Sequence, residues 1–305
     1  MSDLAAARAI LVEAVGPRLR EEHPLAPLTT FRIGGPAALY LEPNDEADLR
    51  AAHRAIVETG IPVAILGKGS NVLVPDDGFA GLVLRLGRGY RWAARDGDRI
   101  TAGAAMPLPA LAGVAQQHAL AGLAFGVAIP ASFGGAIRMN AGAHGGQLAD
   151  VVEEAETFRL RAGDAERRTG EEIGFAYRST ALPADAVVVS ATLRLRPGDP
   201  AAIREEMEAA REWRRRTQPL AEPNCGSVFV NPPGAHAAAL IEAAGLKGLR
   251  VGDASVSTKH ANFIVAGPDA TSQDVLALIE QIRGRILDED GITLHTEVRM
   301  LEPLG

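Results

Sequence analysis

Two stretches of this 305-residue chain set glycines beside polar side chains at spacings suited to holding an anion. The first, residues 124–147, reads AFGVAIPASFGGAIRMNAGAHGGQ and holds six glycines, with Ser132, Asn140 and His144 among them. The second, residues 65–81, reads ILGKGSNVLVPDDGFAG. Lacking a Cβ, glycine lets backbone approach another group closely and adopt unusual φ values. A pair of tight turns in a small-residue core would use glycines in this way. So would a loop system whose backbone N–H groups face a phosphate. One such pattern is a weak signal, whereas two in one domain favour the phosphate reading.

The elements that must position these loops read as follows. Leu4–Val15 is a short amphipathic helix, and prolines at 24 and 27 mark an extended segment after it. Thr30, Arg32, Gly34 and Gly35 precede a strand that runs to Leu41. Asn44 or Asp45 caps a helix with Leu49, His53 or Ala52, Ile56 and Val57 on its apolar face, and Gly60 and Pro62 stop it. A strand at 62–66 runs into Gly67-Lys68-Gly69-Ser70-Asn71, with strands expected again at 71–74 and 82–86. This strand–loop–strand order, without GxGxxG spacing, counts against a Rossmann fold. Further strands are expected at 99–102, 155–160 and 187–195, with a helix over 107–120.

Pro197-Gly198-Asp199-Pro200 is the best domain boundary. Beyond it come a charged helix at 201–217, an irregular Pro-containing segment, a small-residue helix ending at Gly245, and KHANFIVAG as a strand. Thr271 and Asp274 form a capping box for a helix with Val275, Leu278, Ile279, Ile282 and Ile286 on one face. In the closing strand Ile292, Leu294, Thr296, Val298 and Met300 point one way, and Thr293, His295, Glu297 and Arg299 the other.

Composition is that of an ordinary globular chain: 47% hydrophobic, 23% charged, net charge −7. The negative balance argues against a nucleic-acid partner, whose footprint would be basic. A single cysteine, Cys225, rules out an intramolecular disulfide. Asp3, Arg8 and Glu13 interrupt any signal-peptide pattern, so the expected compartment is the cytoplasm. Residues 101–137 carry no charge except what His118 can take up, which raises a membrane span. Pro107, Pro109, Pro130, Gln116, Gln117 and the glycines argue for buried soluble protein instead.

Seven blocks occur in one order: TFRIGG, GKGSNVLV with DDGFAG, IPASFGGAIRMNAGAHGG, FAYRST, QPLAEPNCGSVFVNP, AGLKGLRVGDASVSTKHANFIV and HTEVRM. Together they make the chain resemble the UDP-N-acetylenolpyruvoylglucosamine reductase family from about Leu28 to Met300. The shorter length matches the branch lacking an extra substrate-covering loop. The resemblance implies an α+β fold: an FAD-binding region of the vanillyl-alcohol-oxidase type over 1–197, split near 60, and a C-terminal α+β substrate-binding domain over 198–305. The last strand is expected to return toward the flavin. It further implies non-covalent FAD, NADPH as co-substrate, UDP-N-acetylglucosamine enolpyruvate as substrate, a place in peptidoglycan precursor synthesis, and a monomer.

By the same resemblance, Gly67, Lys68, Gly69, Ser70 and Asn71 form the pyrophosphate loop. Ile129, Pro130, Ser132, Gly134, Gly135, Asn140 and Gly142 supply the other flavin contacts. Arg178 is the catalytic arginine, Ser227 the proton donor and Glu297 the catalytic glutamate. Tyr177, Arg178, Gln218, Asn231, Lys259, His260 and Asn262 belong to the substrate side. Several positions depart from the family pattern: Val230 for lysine, Ala128 and Ala131 for glycines, His144 for tyrosine, and His295-Thr296 for Glu-Pro.

The chemistry fits these residue types. Reduction of an enolpyruvyl ether places hydride on the β-carbon and a proton on the α-carbon, and the cofactor carries the hydride. Arg178 suits a carboxylate through a bidentate fork, a role its aromatic neighbours Phe175 and Tyr177 favour over the alternative of an interdomain ion pair. Ser227 suits proton donation where its hydroxyl is polarised; on a strand it would share a face with Phe229 and Asn231. Glu297 reads either as a solvated carboxylate beside Arg299 or as part of the site. Cys225 reads as a packing residue. No histidine spacing suits a metal, and none is expected. An FAD oxidase is the nearest rival, but the first glycine loop has no histidine to tether a flavin: none lies between His53 and His118. A non-catalytic flavin or nucleotide-sugar binder would have no need of a proton donor.

Overall fold

The computed structural model describes residues 4–304. Its helices are α1 (Leu4–Val15), α2 (Glu46–Thr59), α3 (Leu108–Gln117), α4 (Phe133–Arg138), α5 (Gly170–Ile173), α6 (Pro200–Thr217), α7 (Ala237–Ala243) and α8 (Ser272–Asp290). The first region is a four-stranded sheet in the order Arg20–Pro24, Pro36–Leu41, Phe79–Leu84, Val63–Ile65. The outer pair is antiparallel, and Phe79–Leu84 pairs in parallel with both of its neighbours. Ala7, Leu11 and Val15 of α1 pack with Leu49, Ala52 and Ile56 of α2 in one core beside this sheet. Asp45 caps α2 by accepting from Asp48 N, and Gly60 ends it at φ +65. Val57, expected on the apolar face, is 58% exposed.

A second, five-stranded antiparallel sheet runs Ala165–Thr169, Val152–Arg159, Ala186–Arg194, Arg99–Gly103, Ala93–Asp96. Its two outer strands were not expected. The Asp96-Gly97 pair, with Gly97 at φ +59, was the sequence signal for the hairpin that makes one of them. Strand 79–84 is central to the first sheet, and the change of sheet falls between Leu84 and Ala93. Residues 101–137 supply much of the second region's core, with Ala102, Leu108, Leu111, Phe133 and Ile137 all fully buried. Among the described residues no helix is long and apolar enough to cross a membrane.

The helix after residues 197–200 packs back on the second region. Ile203, Met207 and Ala210 of α6 share the core of the second region with Leu111 and Phe125, so α6 belongs to that region by packing. The third core takes over from Cys225 onward. It unites α7, α8 and the sheet Arg250–Val251, Ala254–Val256, Ile264–Ala266, and it includes Phe31, Ile33 and Leu73 from the first region. The Thr271–Asp274 capping box is formed, and Val275, Leu278, Ile279, Ile282 and Ile286 are buried.

Two contacts dock the third core beside the first glycine loop. Asp76 accepts from Ser272 N at 2.7 Å and Gln273 N at 3.3 Å at the start of α8. Arg299–Met300 pairs in parallel with Val72–Leu73. The closing strand is shorter than expected: before Arg299 only Thr296 bridges, to Phe229, although Leu294 and Val298 are buried as the alternation required.

Candidate active site

The first glycine loop begins where strand pairing stops, at Leu66 N→Leu84 O. Among the described residues, the main-chain N–H groups of Gly67, Lys68, Gly69, Ser70 and Asn71 find no partner in the protein. Gly69 sits at φ +68, and a Cβ there would lie 2.4 Å from Leu28 O. A Cβ on Gly67 would lie 2.7 Å from Ser132 Oγ, so the two glycine stretches abut. Five successive unpaired donors in a partly buried loop are what an anion-binding nest requires. Lys68 is exposed beside it.

Across from this loop, Ser132 caps α4, accepting from Gly135 N at 3.4 Å. Gly134 is buried, its N–H donates to Ala104 O, and a Cβ would meet Ala104 Cβ at 2.8 Å, so its smallness serves packing. Ile129, Pro130, Ser132 and Gly135 remain partly open. Asn140, 2% exposed, donates to Ala176 O and Gln147 Oε1 and accepts from Ala149 N. Its side chain therefore braces the turn that carries Arg178.

That turn is closed by Ala176 N→Ser179 O at 3.0 Å and Ser179 N→Ala176 O at 3.2 Å, with Tyr177 and Arg178 at its tip. Arg178 adopts φ +56, which strains a side chain larger than glycine. Its guanidinium lies 5.0 Å from the Tyr177 ring centroid and donates to Gly142 O at 3.2 Å. Arg178 Nε is 3.1 Å from Glu297 Oε1, yet it is buried and hydrogen-bonds nothing among the described residues. The ion pair is close without its N–H pointing at the oxygen. Burial pushes the Glu297 carboxyl up, and the positive charges of Arg178 and Arg299 only partly oppose that.

Main-chain bonds place the other candidates around this pair. Glu297 N donates to Val228 O at 2.8 Å, next to Ser227. Asn71 Nδ2 donates to Glu297 O at 3.0 Å, and Arg299 N donates to Asn71 O at 3.1 Å. The Ser227 hydroxyl is partly open and has no hydrogen bond among the described residues. The expected face shared by Ser227, Phe229 and Asn231 is not formed. The segment is irregular: Phe229 is buried, whereas Asn231 is exposed and accepts from Ala237 N at the start of α7. Burial raises the Cys225 thiol and keeps it unreactive.

The remaining substrate-side candidates form two groups. Gln218 Oε1 accepts from Arg214 Nε at 2.8 Å and Lys259 Nζ donates to Arg215 O at 2.7 Å, gathering positive charge at the end of α6. Desolvation lowers the pKa of Arg214, whose side chain among the described residues bonds Gln218. His260 and Asn262 lie inward. Burial lowers the pKa of His260, whose Nδ1 accepts from Asn262 N. Asn262 is 4% exposed, with both side-chain polar atoms on Phe229. A groove of about 790 Å³ lined by Asp98, Phe125, His144 and Arg194 holds none of these candidates. Among the described residues no cluster of His, Cys, Asp and Glu suits a metal.

Comparison with known proteins decides the family. Residues 218–301 match the model of the UDP-N-acetylenolpyruvoylglucosamine reductase C-terminal domain, and residues 37–167 match an FAD binding domain. A UDP-N-acetylenolpyruvoylglucosamine reductase of Heliobacterium modesticaldum is 46% identical over 287 residues, covering 93% of this chain and 91% of that protein. The chain belongs to the UDP-N-acetylenolpyruvoylglucosamine reductase family. A second relative so named, from Symbiobacterium thermophilum, is 48% identical over 284 residues, covering 93% of this chain and 92% of that protein. The crystal structure of the family's enzyme from Thermus caldophilus superposes with a TM-score of 0.81 at 36% identity, covering 92% of this chain and 99% of that one. A variant of Phl p 4, a glucose oxidase, shares the fold alone over 64% of this chain and 44% of that one (TM-score 0.52, 16% identity). The chain is thus an oxidoreductase of α+β fold, with an FAD binding domain and the reductase family's C-terminal domain.

FAD fits the residues present: a pyrophosphate needs donors, and the 67–71 loop offers a run of them where a Cβ would intrude. One residue of this family site lay outside the expected set. Thr30 donates its N–H to Gly69 O and accepts from Asn224 N, linking the glycine loop to the segment that carries Ser227. The TFRIGG block held it, but only its contacts reveal the role.

Proposed function

We propose that this chain reduces UDP-N-acetylglucosamine enolpyruvate to UDP-N-acetylmuramate with NADPH as reductant, in peptidoglycan precursor synthesis, as a cytoplasmic monomer. The observation that carries the reading is the Arg178–Glu297 pair. A buried, unsatisfied Arg178 Nε lies beside a carboxyl pushed toward its neutral form, next to a segment bearing a free hydroxyl. An incoming carboxylate would satisfy the guanidinium better than Glu297 does, and would be held bidentately. The N–H groups of residues 67–71 would hold the pyrophosphate of FAD, which when bound would supply the hydride chemistry between nicotinamide and substrate.

The protein's own residues then have distinct tasks. Arg178 stabilises negative charge gathering on the substrate carboxylate as the double bond is consumed. Ser227 Oγ gives its proton to the α-carbon, which completes the saturated ether. Glu297, kept near Ser227 by its N–H bond to Val228 O, polarises that hydroxyl or returns its proton. Arg214, Gln218 and Lys259 at the end of α6 suit the diphosphate, and Tyr177 covers the guanidinium face.

A spectral titration tests the reading. NADPH should bleach the flavin absorbance, and the enolpyruvyl nucleotide should restore it without oxygen, yielding a product two mass units heavier than the substrate (one hydride plus one proton). Recovery that needs oxygen instead would make the protein an oxidase and overturn the proposal.

A further inference from the structure

Asn262 is buried, and both polar atoms of its amide bond the same residue. Its Oδ1 accepts from Phe229 N at 2.9 Å and its Nδ2 donates to Phe229 O at 2.8 Å. Its own main-chain O accepts from Val228 N at 2.9 Å. The opposite edge of the same segment is held by Glu297 N→Val228 O at 2.8 Å and Val230 N→His295 O at 2.9 Å. Sheet pairing does not reach Phe229 from the Asn262 side, because the strand Ile264–Ala266 starts only after the turn that contains Asn262. The carboxamide, with one donor and one acceptor in a plane, stands in for the missing strand.

We infer that Asn262 is a positioning residue: its amide fixes the 228–230 backbone and so sets Ser227 relative to Glu297. The sequence placed Asn262 on the substrate side. Its polar atoms are already spent on Phe229, so it contributes through the backbone that carries the proton donor. An unpaired buried main-chain N–H and C=O would follow its loss. Displacement of a reacting group by about 1 Å costs roughly 10²-fold in rate.

The catalytic readout rests on the function proposed above, and a second readout does not. Asn262→Ala should slow re-oxidation of the reduced flavin by the enolpyruvyl substrate about 10²-fold, while reduction by NADPH is unchanged. Asn262→Asp keeps the shape. Its ionised form sets a lone pair against Phe229 O, and its neutral form restores the donor. Burial raises such a carboxyl, so the rate of this variant relative to wild type should climb as pH falls. His260, His295 and Glu297, the nearest titratable side chains along these bonds, are common to both proteins, so a difference between the two pH profiles originates in the carboxyl at 262.

Amide exchange over 227–231, followed by mass spectrometry, should speed up in both variants, with Asn262→Asp recovering protection at low pH. The proposal is overturned if Asn262→Ala is re-oxidised at the wild-type rate, if the Asn262→Asp ratio is flat in pH, or if exchange does not change. It is equally overturned if Asn262→Asp cannot be folded at any pH, which would make the amide a folding requirement. Should wild type itself fail to reduce the substrate, the functional proposal falls and the exchange data still decide the clamp.

Discussion

Arg178, at φ +56 on a two-residue turn, is held by Asn140 beneath and Glu297 beside it. A group restrained at this conformational cost, with one N–H unsatisfied, suits the proposed role of receiving a substrate carboxylate. Ser227→Ala should therefore divide the cycle. Reduction of flavin by NADPH stays near wild type, and re-oxidation by the enolpyruvyl substrate slows by about 10²- to 10⁴-fold. Arg178→Lys should impair the same half-reaction, because an ammonium cannot reproduce the fork. Stopped-flow measurement of both halves checks this. Equal loss in the two halves for Ser227→Ala would show a structural serine. The segment bearing Ser227 was legible as a motif, but its strand geometry was not: Phe229 turned inward because the third core needed its ring.

At the scale of elements, the 67–71 loop depends on absent side chains. Gly69→Val should abolish FAD retention, since its Cβ would intrude on Leu28 O and Thr29 Cα. Absorbance after gel filtration reads the result, and a fully yellow variant would refute the loop assignment. Helix α2 is tied down by Arg18, whose guanidinium meets Asp48 at 2.5 and 2.6 Å. Burial alone would raise the Asp48 carboxyl, but the Arg18 hydrogen bond, Asn44 N–H and the Arg18 charge together hold it below its ordinary value. A depressed carboxyl stabilises the fold above its unfolded pKa, and that contribution is lost as pH falls through the folded one. Asp48→Asn should cost about 1–3 kcal/mol at neutral pH and progressively less below about pH 4. Denaturant titrations of both proteins across that range give the difference, and a cost independent of pH would contradict the pairing.

Across the whole molecule, three regions meet at one place. Thr30 and Asn71 join the first region to the third, and Arg178 reaches from the second to Glu297. A cofactor seated there should couple all three. Removing FAD should lower the melting temperature, and restoring it to a hundredfold excess over its dissociation constant should regain about 2.7 kcal/mol. Melts at graded FAD concentrations test this; a midpoint indifferent to FAD would separate the site from the cores. Acid precipitation should release the FAD intact, because the first loop has no histidine to tether it.

The sequence by itself determined what is local or collinear: the caps at Asp45 and Thr271, the alternation that buries Leu294 and Val298, the two glycine loops, and the order of motifs that marks the family. These follow from neighbours three or four residues apart, or from a pattern shared along the chain. Tertiary structure decided the rest. The core that α6 joins depends on what faces Ile203 and Met207. Asn262 serves the backbone because no strand reaches Phe229 on that side. Glu297 becomes more than a solvated carboxylate because folding buries it against Arg178, from a point more than a hundred residues earlier in the chain. Burial and long-range hydrogen bonds set these roles, and neither can be read from spacing.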